Sequence, residues 1–352
     1  MAQDVASAPE PQMRHEPALH SPPGRRPQHS HTTRHTYGAL DLGTNNCRLL
    51  IARPSNGAFT VIDAFSRIVR LGDGLSQTGK LSDEAMDRAI AALSICADKL
   101  KRRNVSLSRS VATEACRRAA NGRKFIERVR NETGIALEII EPAEEARLAM
   151  LGCHKLLEPG DGPALIFDIG GGSTELVLID QVEGVPQIRS WWSAPWGVVS
   201  LTESEGREAI EGKDRVRAYM RMRERVRRSF DRFEAMLPRD RKGIRLLGTS
   251  GTVTTLASVH LALPSYDRRA VDGLHVPIEA MRAISSMIAE MDYEERSALP
   301  CIGPDRADLV VAGCAILEAI LEIWPARKLG VADRGIREGI LRSLMARDGF
   351  ML

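Results

Sequence analysis

Apolar and polar positions alternate in the first third of the chain and then give way to helical spacing. Apolar residues over 39–42 and 47–52 flank a short turn at 43–46, which predicts a tight hairpin. The segments 59–65 and 68–71 continue the strand pattern. Residues 86–100 then carry apolar positions at helical spacing, after a helix-start signal at 82–85. The pattern predicts a β-meander followed by a helix.

The same order of elements restarts near the middle of the chain. A strand is predicted over 164–169, a glycine-rich turn over 170–174 and a second strand over 175–180. Between the two hairpins the pattern predicts strands over 105–112 and 135–140 and helices over 121–131 and 144–157. This weak internal repeat suggests two related α/β lobes.

The remaining residues are predicted to be mainly helical. Residues 207–245 repeat apolar positions at helical spacing and are rich in arginine, most densely over 213–245. This basic face is either a track for a polyanion or a solvated surface with compensating acids, and the pattern leaves both open. An apolar stretch over 309–323 and a terminal helix over 337–344 follow.

Composition narrows the class of protein. The 352 residues suffice for two domains with sizeable cores. A net charge of +3 and 4% aromatic residues give no indication of nucleic-acid binding. The six cysteines form no CxxC pair, and no apolar run approaches the roughly 20 residues that span a bilayer. We therefore expect a cytoplasmic protein that binds neither a membrane nor nucleic acid.

The first 36 residues differ from the rest in being rich in Pro, His, Ser, Arg and Gln. Few large apolar residues are present there, so we predict a disordered extension. Five of the eight histidines fall in this segment, but their spacing matches no metal-ligand set.

Both predicted hairpin turns have the composition of phosphate-binding loops. Backbone N–H groups and hydroxyls in such turns suit phosphate oxygens, and Arg48 adds a planar fork with the same preference. Three consecutive glycines in the second turn cost backbone entropy, which close approach of a ligand explains better than a plain turn. The predicted phosphate-binding residues are Gly43, Thr44, Asn45, Asn46 and Arg48 in the first turn and Gly170, Gly171, Gly172 and Ser173 in the second.

An aspartate precedes each of these turns. Asp41 and Asp168 each lie in an otherwise apolar strand, where a carboxylate is costly unless it holds a metal ion or water. We expect the two side chains to face each other across a cleft and to hold hydrated Mg²⁺, or another divalent cation, against phosphate oxygens.

A third glycine-containing turn lies at 248–251, between a predicted strand and a predicted helix. Backbone amides at a helix N-terminus suit an anion or the edge of a nucleotide, which makes Gly251 and Thr252 candidate binding residues. A tight strand–helix turn without a ligand explains the same residues equally well.

Six stretches together carry a family resemblance. They are DLGTNNCRLLIA (41–52), ATEACRRA (112–119), EEARL (144–148), FDIGGGSTEL (167–176), GTSGTVTTLA (248–257) and GVADRGIREGIL (330–341). The sequence resembles the exopolyphosphatase/guanosine pentaphosphate phosphatase (Ppx/GppA) family of the actin-like ATPase-domain superfamily, in a short two-domain form. The resemblance implies two actin-like (ribonuclease H-like) α/β lobes with a substrate cleft between them. It places lobe I at 37–148 and lobe II at 149–334, with a terminal helix at about 335–352 packed back on lobe I.

The resemblance also implies roles for individual residues. Glu145 is expected to be the general base for the attacking water, with support from Glu144. Glu175 is expected to line the site and to orient the water or the metal shell. Arg48 and Arg117 match positions that grip phosphates, and Thr113 assists them. This set fits phosphoanhydride hydrolysis, which needs charge neutralisation and a positioned water more than covalent catalysis.

The resulting functional hypothesis is Mg²⁺-dependent release of orthophosphate from the end of inorganic polyphosphate. A first alternative is the same chemistry on guanosine pentaphosphate, in the stringent response. A second, from another class, is an actin-like nucleotide-binding kinase or chaperone module. A third is a sensor that binds polyphosphate or alarmone without turnover. A homodimer is suggested by the resemblance alone.

Overall fold

Two mixed β-sheets, each flanked by helices, form the framework of the protein. The computed structural model describes residues 35–160, 162–182, 185–239 and 242–350, of which the side chains of 181, 182 and 185 are left aside. These residues belong to one compact unit that begins at His35. The predicted disordered extension over 1–36 lies outside the described residues except for its last two positions.

The elements follow one another along the chain as two sets of strands and helices. The strands are β1 (Tyr37–Leu42), β2 (Asn46–Ser55), β3 (Ala58–Ile68), β4 (Leu107–Ala112), β5 (Leu137–Ile139), β6 (Ala164–Ile169), β7 (Thr174–Val182), β8 (Val185–Ala194), β9 (Arg245–Thr249), β10 (His275–Pro277) and β11 (Lys328–Ala332). The helices are α1 (Leu75–Thr78), α2 (Asp83–Arg102), α3 (Glu114–Arg118), α4 (Gly122–Thr133), α5 (Pro142–Cys153), α6 (Val198–Glu205), α7 (Arg207–Glu211), α8 (Arg215–Ser229), α9 (Asp231–Glu234), α10 (Gly251–His260), α11 (Arg268–Val271), α12 (Ile278–Glu290), α13 (Tyr293–Ala298), α14 (Val310–Ile323) and α15 (Ile336–Arg347).

The two sheets share one strand order over five strands, and the second has a sixth strand, β10, at its edge. The first runs β3-β2-β1-β4-β5, and the second runs β8-β7-β6-β9-β11-β10 when read from the same side. In each sheet an antiparallel meander of three strands joins a parallel strand, β4 beside β1 and β9 beside β6. The weak repeat in the sequence therefore corresponds to two lobes built on the same plan.

Helices α5 and α15 lie between the two sheets. Leu148 of α5 and Ile340 of α15 share one apolar cluster with Tyr37 and Leu50 of the first sheet. Met150, further along α5, belongs to a cluster on the second sheet. Small residues let the two helices touch, since a Cβ added at Gly339 would lie 2.0 Å from the backbone oxygen of Leu148. The first turn of α5 is thus held firmly at the junction of the lobes.

The basic region predicted over 207–245 contains three helices, α7, α8 and α9. Apolar residues of α8 and α9, among them Met222 and Phe233, are buried in the core of the second lobe. The arginines on the outer face form ion pairs: Arg221 with Glu205, Arg223 with Glu322, Arg227 with Glu234 and Arg228 with Glu224. This pairing favours a charge-balanced surface over a track for a polyanion.

Three strands, β8, β10 and β11, were not predicted from the sequence. Among the described strands, β8 pairs with β7 alone and forms the edge of the second sheet. Its described side chains are therefore mostly half-buried or exposed and give little apolar alternation. Within the described residues, no helix is long and apolar enough to cross a membrane.

Candidate active site

A cavity of about 1010 Å³, which includes its open mouth, lies where the two sheets and helices α5 and α10 meet. The predicted site residues that line it are Asp41, Gly43, Thr44, Asn45, Asn46, Arg48, Thr113, Glu145, Asp168, Gly170, Gly171, Gly172, Ser173, Glu175, Gly251 and Thr252. Segments far apart in the sequence therefore converge on one cleft.

The two glycine-rich turns have the same geometry. The N–H of Gly43 donates to the carbonyl of Asn46 at 2.9 Å, and the N–H of Gly170 donates to that of Ser173 at 2.9 Å. The turns also touch each other, because a Cβ added at Gly171 would lie 2.9 Å from the Cβ of Thr44. Backbone N–H groups of both lobes are thereby brought to one small space that suits phosphate oxygens.

The aspartates before the turns line the same cavity but have different neighbours. The strand register places Asp41 opposite Arg48, whereas Asp168 lies opposite Glu175. Burial raises the pKa of Asp41, and the charges of Arg48 and Arg337 oppose that shift. Burial, followed by the charge of Glu175, raises the pKa of Asp168 to about 8.

These two aspartates fit a divalent cation. Oδ1 of Asp41 is buried and has no hydrogen-bond partner among the described residues, and an unpaired buried carboxylate oxygen is costly. No group of three or more His, Cys, Asp or Glu side chains in the described ranges is arranged to hold a metal ion. A cation held by Asp41 and Asp168 would therefore keep several of its ligands as water or phosphate oxygens, as Mg²⁺ commonly does.

Glu145 projects from the first turn of α5 into the cavity and is only 6% exposed. Burial raises its pKa well above the ordinary value, the charges of Glu175 and Asp41 add to the rise, and Arg117 opposes it. Glu175 accepts hydrogen bonds from the hydroxyls of Ser173 at 2.7 Å and Ser193 at 2.9 Å. A buried carboxylate with a raised pKa is suited to accept a proton near neutral pH.

Two of the expected residues lie outside the cavity wall. Arg117 does not line the cavity; its guanidinium faces the carboxylates of Glu114 and Glu145 instead of an open phosphate position. Glu144 points away from the cavity and pairs with Arg109 and Arg147, each at 2.6 Å. The sequence placed Arg117 near the site, but its guanidinium is held by the two glutamates and by the carbonyl of Ile140.

The third turn closes the cavity from the second lobe. Ser250 has a φ of 139°, an unusual value for a residue other than glycine, and its Oγ accepts a hydrogen bond from the N–H of Val253. Helix α10 then begins at Gly251 with its N-terminus at the cavity wall. A Cβ added at Gly251 would lie 3.9 Å from Nη2 of Arg48, so this helix end and the arginine lie close together.

Comparison with known proteins identifies the family. Residues 50–348 match the model of the Ppx/GppA phosphatase family. The chain belongs to the Ppx/GppA phosphatase family.

Individual relatives agree with this assignment. The chain is 32% identical over 320 residues to exopolyphosphatase 2 of Mycobacterium tuberculosis, covering 87% of this chain and 97% of the relative. It is 28% identical to the guanosine-5'-triphosphate,3'-diphosphate pyrophosphatase of Aliivibrio fischeri, covering 86% of this chain and 58% of that protein. The crystal structure of the Aquifex aeolicus family member superposes with a TM-score of 0.72 at 30% identity, covering 90% of this chain and 99% of that one. The predicted family and two-lobed fold are confirmed, and the protein is a phosphoanhydride hydrolase.

Several residues of this Ppx/GppA cleft were not singled out from the sequence. Glu114 and Arg306 line the main cavity, and Arg306 donates to the hydroxyl of Thr255 at 2.7 Å. Arg334 and Arg337 line a smaller cavity that shares Asp41, Arg48 and Asp168 with the main one. Glu114, Arg334 and Arg337 lie inside motifs that carried the family resemblance, so the signal was present. Arg306 follows a loop with no distinctive pattern.

Proposed function

We propose that this Ppx/GppA family member hydrolyses inorganic polyphosphate from its end and releases orthophosphate with the help of Mg²⁺. The observation that carries the proposal is the position of buried Glu145, which faces two phosphate-binding loops and a pair of aspartates in one cavity. The likeness to an exopolyphosphatase over most of both chains supports polyphosphate as the substrate.

The proposed reaction is an in-line attack of water on the terminal phosphorus. Glu145 takes a proton from the water as its oxygen bonds to phosphorus. The bond from that phosphorus to the bridging oxygen breaks, and its electrons remain on the oxygen that becomes the new chain end. Mg²⁺ held by Asp41 and Asp168 would neutralise charge on the phosphate oxygens.

The protein's own groups bind and orient the substrate. Backbone N–H groups of the two turns hold the phosphate oxygens of the terminal group. Arg48 and Arg306 form no salt bridge with any residue that the structure describes, so their charges are available to the polyanion, although Arg306 donates to Thr255. Glu175, fixed by two serine hydroxyls, orients the attacking water or the water shell of the cation.

Guanosine pentaphosphate is the second candidate substrate, with a role in the stringent response. Its terminal phosphoanhydride is the same chemical group, and the likeness to the Aliivibrio fischeri enzyme supports it. A cytoplasmic location and a homodimer remain expectations from the sequence.

The decisive assay measures phosphate release from polyphosphate, guanosine pentaphosphate and ATP in parallel, with Mg²⁺ and with EDTA. We expect Mg²⁺-dependent release from polyphosphate, and Glu145→Gln should lower kcat by about a thousandfold while substrate still binds. Glu141→Gln is the matched control, because this exposed glutamate lies on the same helix start outside the cavity. Absence of release from all three substrates would refute the hydrolase, and unchanged kcat in Glu145→Gln would assign the base elsewhere.

A further inference from the structure

Arg117 lies between two glutamates that reach the cavity wall. Its Nη2 and Nε donate to Oε2 of Glu114 at 2.5 Å and 3.1 Å, and its Nη1 donates to Oε2 of Glu145 at 3.2 Å. Nη1 also donates to the backbone carbonyl of Ile140 at 2.6 Å. The side chains of Arg117, Glu114 and Glu145 are all largely buried.

These contacts fix the orientation of the guanidinium. Arginine has five N–H donors in a rigid planar fork, and here the fork is engaged along both edges. Gripping a phosphate would require Arg117 to leave Glu114, Glu145 and a carbonyl and to leave those buried acceptors unpaired. The geometry therefore suits holding a carboxylate better than binding substrate.

Glu114 is in turn fixed by the second lobe. A Cβ added at Gly172, in the second phosphate loop, would lie 2.8 Å from Cγ of Glu114, so the glutamate stem packs against that loop. The other oxygen of Glu114, Oε1, lies 3.8 Å from Nε of the exposed Arg118, which is a long contact. Arg117 is thus the main partner of Glu114, and the phosphate loop limits where Glu114 can go.

We propose that Glu114 and Arg117 are positioning residues for the reaction: Glu114 fixes the guanidinium of Arg117, and Arg117 aims the carboxylate of Glu145 at the attacking water. This inference rests on the proposed role of Glu145 as the base. It assigns to Arg117 a function distinct from phosphate binding, and to Glu114 a function that the sequence motif did not indicate.

The charges around Glu145 support this arrangement. Glu175 from β7 and Asp41 from β1 both disfavour its ionised form, as does burial. Arg117 from α3 is the one group among its main electrostatic neighbours that favours ionisation, both by charge and by the hydrogen bond. Removing Arg117 would leave the base both free to rotate and harder to ionise.

The test compares steady-state kinetics of Arg117→Gln and Glu114→Gln on polyphosphate, alone and combined. Because the loss acts on the chemical step, Arg117→Gln should lower kcat roughly tenfold to hundredfold with KM changed less than about threefold. Glu114→Gln should lower kcat less and add little in the Arg117→Gln background, since it acts through that residue. Arg117→Lys should recover part of the lost kcat, since it keeps the charge.

Arg118→Gln is the matched control, because this neighbouring arginine is 41% exposed and, among the residues that the structure describes, forms an ion pair only with Glu114, at 3.8 Å. It should keep the kinetics of the parent protein. Thermal unfolding of each variant separates a change in kcat from a loss of folded protein, and Glu114→Gln, which keeps the side-chain size, serves if Arg117→Gln does not fold.

Two other results would overturn the proposal in different ways. A tenfold or larger rise in KM with kcat preserved in Arg117→Gln would make Arg117 a phosphate-binding residue and refute the positioning role alone. Full turnover in Glu145→Gln would refute the assignment of the base and the positioning role together. Additive losses of kcat in the double variant would separate Glu114 from Arg117.

Discussion

The two phosphate loops are alike in backbone but differ in the charged residue that lies opposite their aspartate. Each has a four-residue turn closed by a 2.9 Å hydrogen bond and each follows an aspartate. The cross-strand partner of that aspartate is Arg48 in the first lobe and Glu175 in the second. One hairpin plan therefore carries a neutral pair on one side of the cleft and a doubly acidic pair on the other.

Because of this difference in charge, we expect the two loops to have different roles. The first loop offers a guanidinium close to the N-terminus of α10, a combination that attracts phosphate. The second loop gathers Asp168 and Glu175 beside Glu145, a combination that attracts a cation and accepts protons. Substrate affinity is expected to depend mainly on the first loop and the chemical step mainly on the second.

Neutralising the charged residue opposite each aspartate should have the largest effect and should separate substrate affinity from the chemical step. Glu175→Gln removes the carboxylate that orients water or the metal shell, so kcat should fall by about a hundredfold or more with little change in KM. Arg48→Gln removes a phosphate contact, so KM should rise by about tenfold with a smaller loss in kcat. Steady-state kinetics on polyphosphate provide both parameters.

Asp180→Asn is a suitable control for this pair of variants. It lies on β7 with Glu175 but is partly exposed, and its salt bridge to Arg189 lies outside the cavity. Its kinetics should match those of the parent protein. Equal changes of the same parameter in Glu175→Gln and Arg48→Gln would show that the charge difference between the loops has no functional meaning.

The two loops should also differ in their tolerance of a side chain. At Gly171 a Cβ would lie 2.9 Å from Thr44 Cβ and 3.1 Å from the backbone nitrogen of Asn45, so Gly171→Ala forces the two lobes apart at the site. At Gly43 the nearest atom is 3.6 Å away, an ordinary contact. We expect Gly171→Ala to lower kcat/KM by about tenfold or more, because small displacements of binding groups are costly in catalysis.

Gly43→Ala is the matched variant on the first loop and should lower kcat/KM by less than about threefold. Both variants should remain folded, which a thermal unfolding curve can verify. A larger loss of kcat/KM in Gly43→Ala than in Gly171→Ala would contradict this steric comparison.

A feature could be predicted from the sequence when it depends on residues that are close together in the sequence. The loops and their aspartates lie in short motifs whose chemistry is local, so residue types and spacing were enough to predict them. Glu145 was predicted only through the family resemblance, because two acids on a helix are also typical of a solvated face. The hydrogen bond from Arg117 to Glu145 joins α3 to α5 across 28 positions of the sequence. The contact of Arg306 with Thr255 spans 51 positions and has no local pattern at all. Long-range packing, rather than composition, decides such contacts.

The smallest expected effect concerns stability in protein stripped of divalent cations. The raised pKa of Asp168, about 8 instead of the ordinary 3.8, means that the folded state binds more protons than the unfolded state between these values. Stability from this group is therefore present at low pH and lost as pH rises toward 8. Replacing the carboxylate removes that loss, so Asp168→Asn should gain about 1 to 2 kcal/mol over the parent protein at pH 8 relative to pH 6.5. Asp41→Asn should gain less, because Arg48 and Arg337 already compensate Asp41.

Thermal unfolding of the parent protein, Asp168→Asn and Asp41→Asn in EDTA measures this difference in stability. Adding Mg²⁺ should stabilise the parent protein more at pH 8 than at pH 5. A gain in Asp168→Asn that does not change with pH, or a larger gain in Asp41→Asn, would contradict the assignment of the excess negative charge to the second loop.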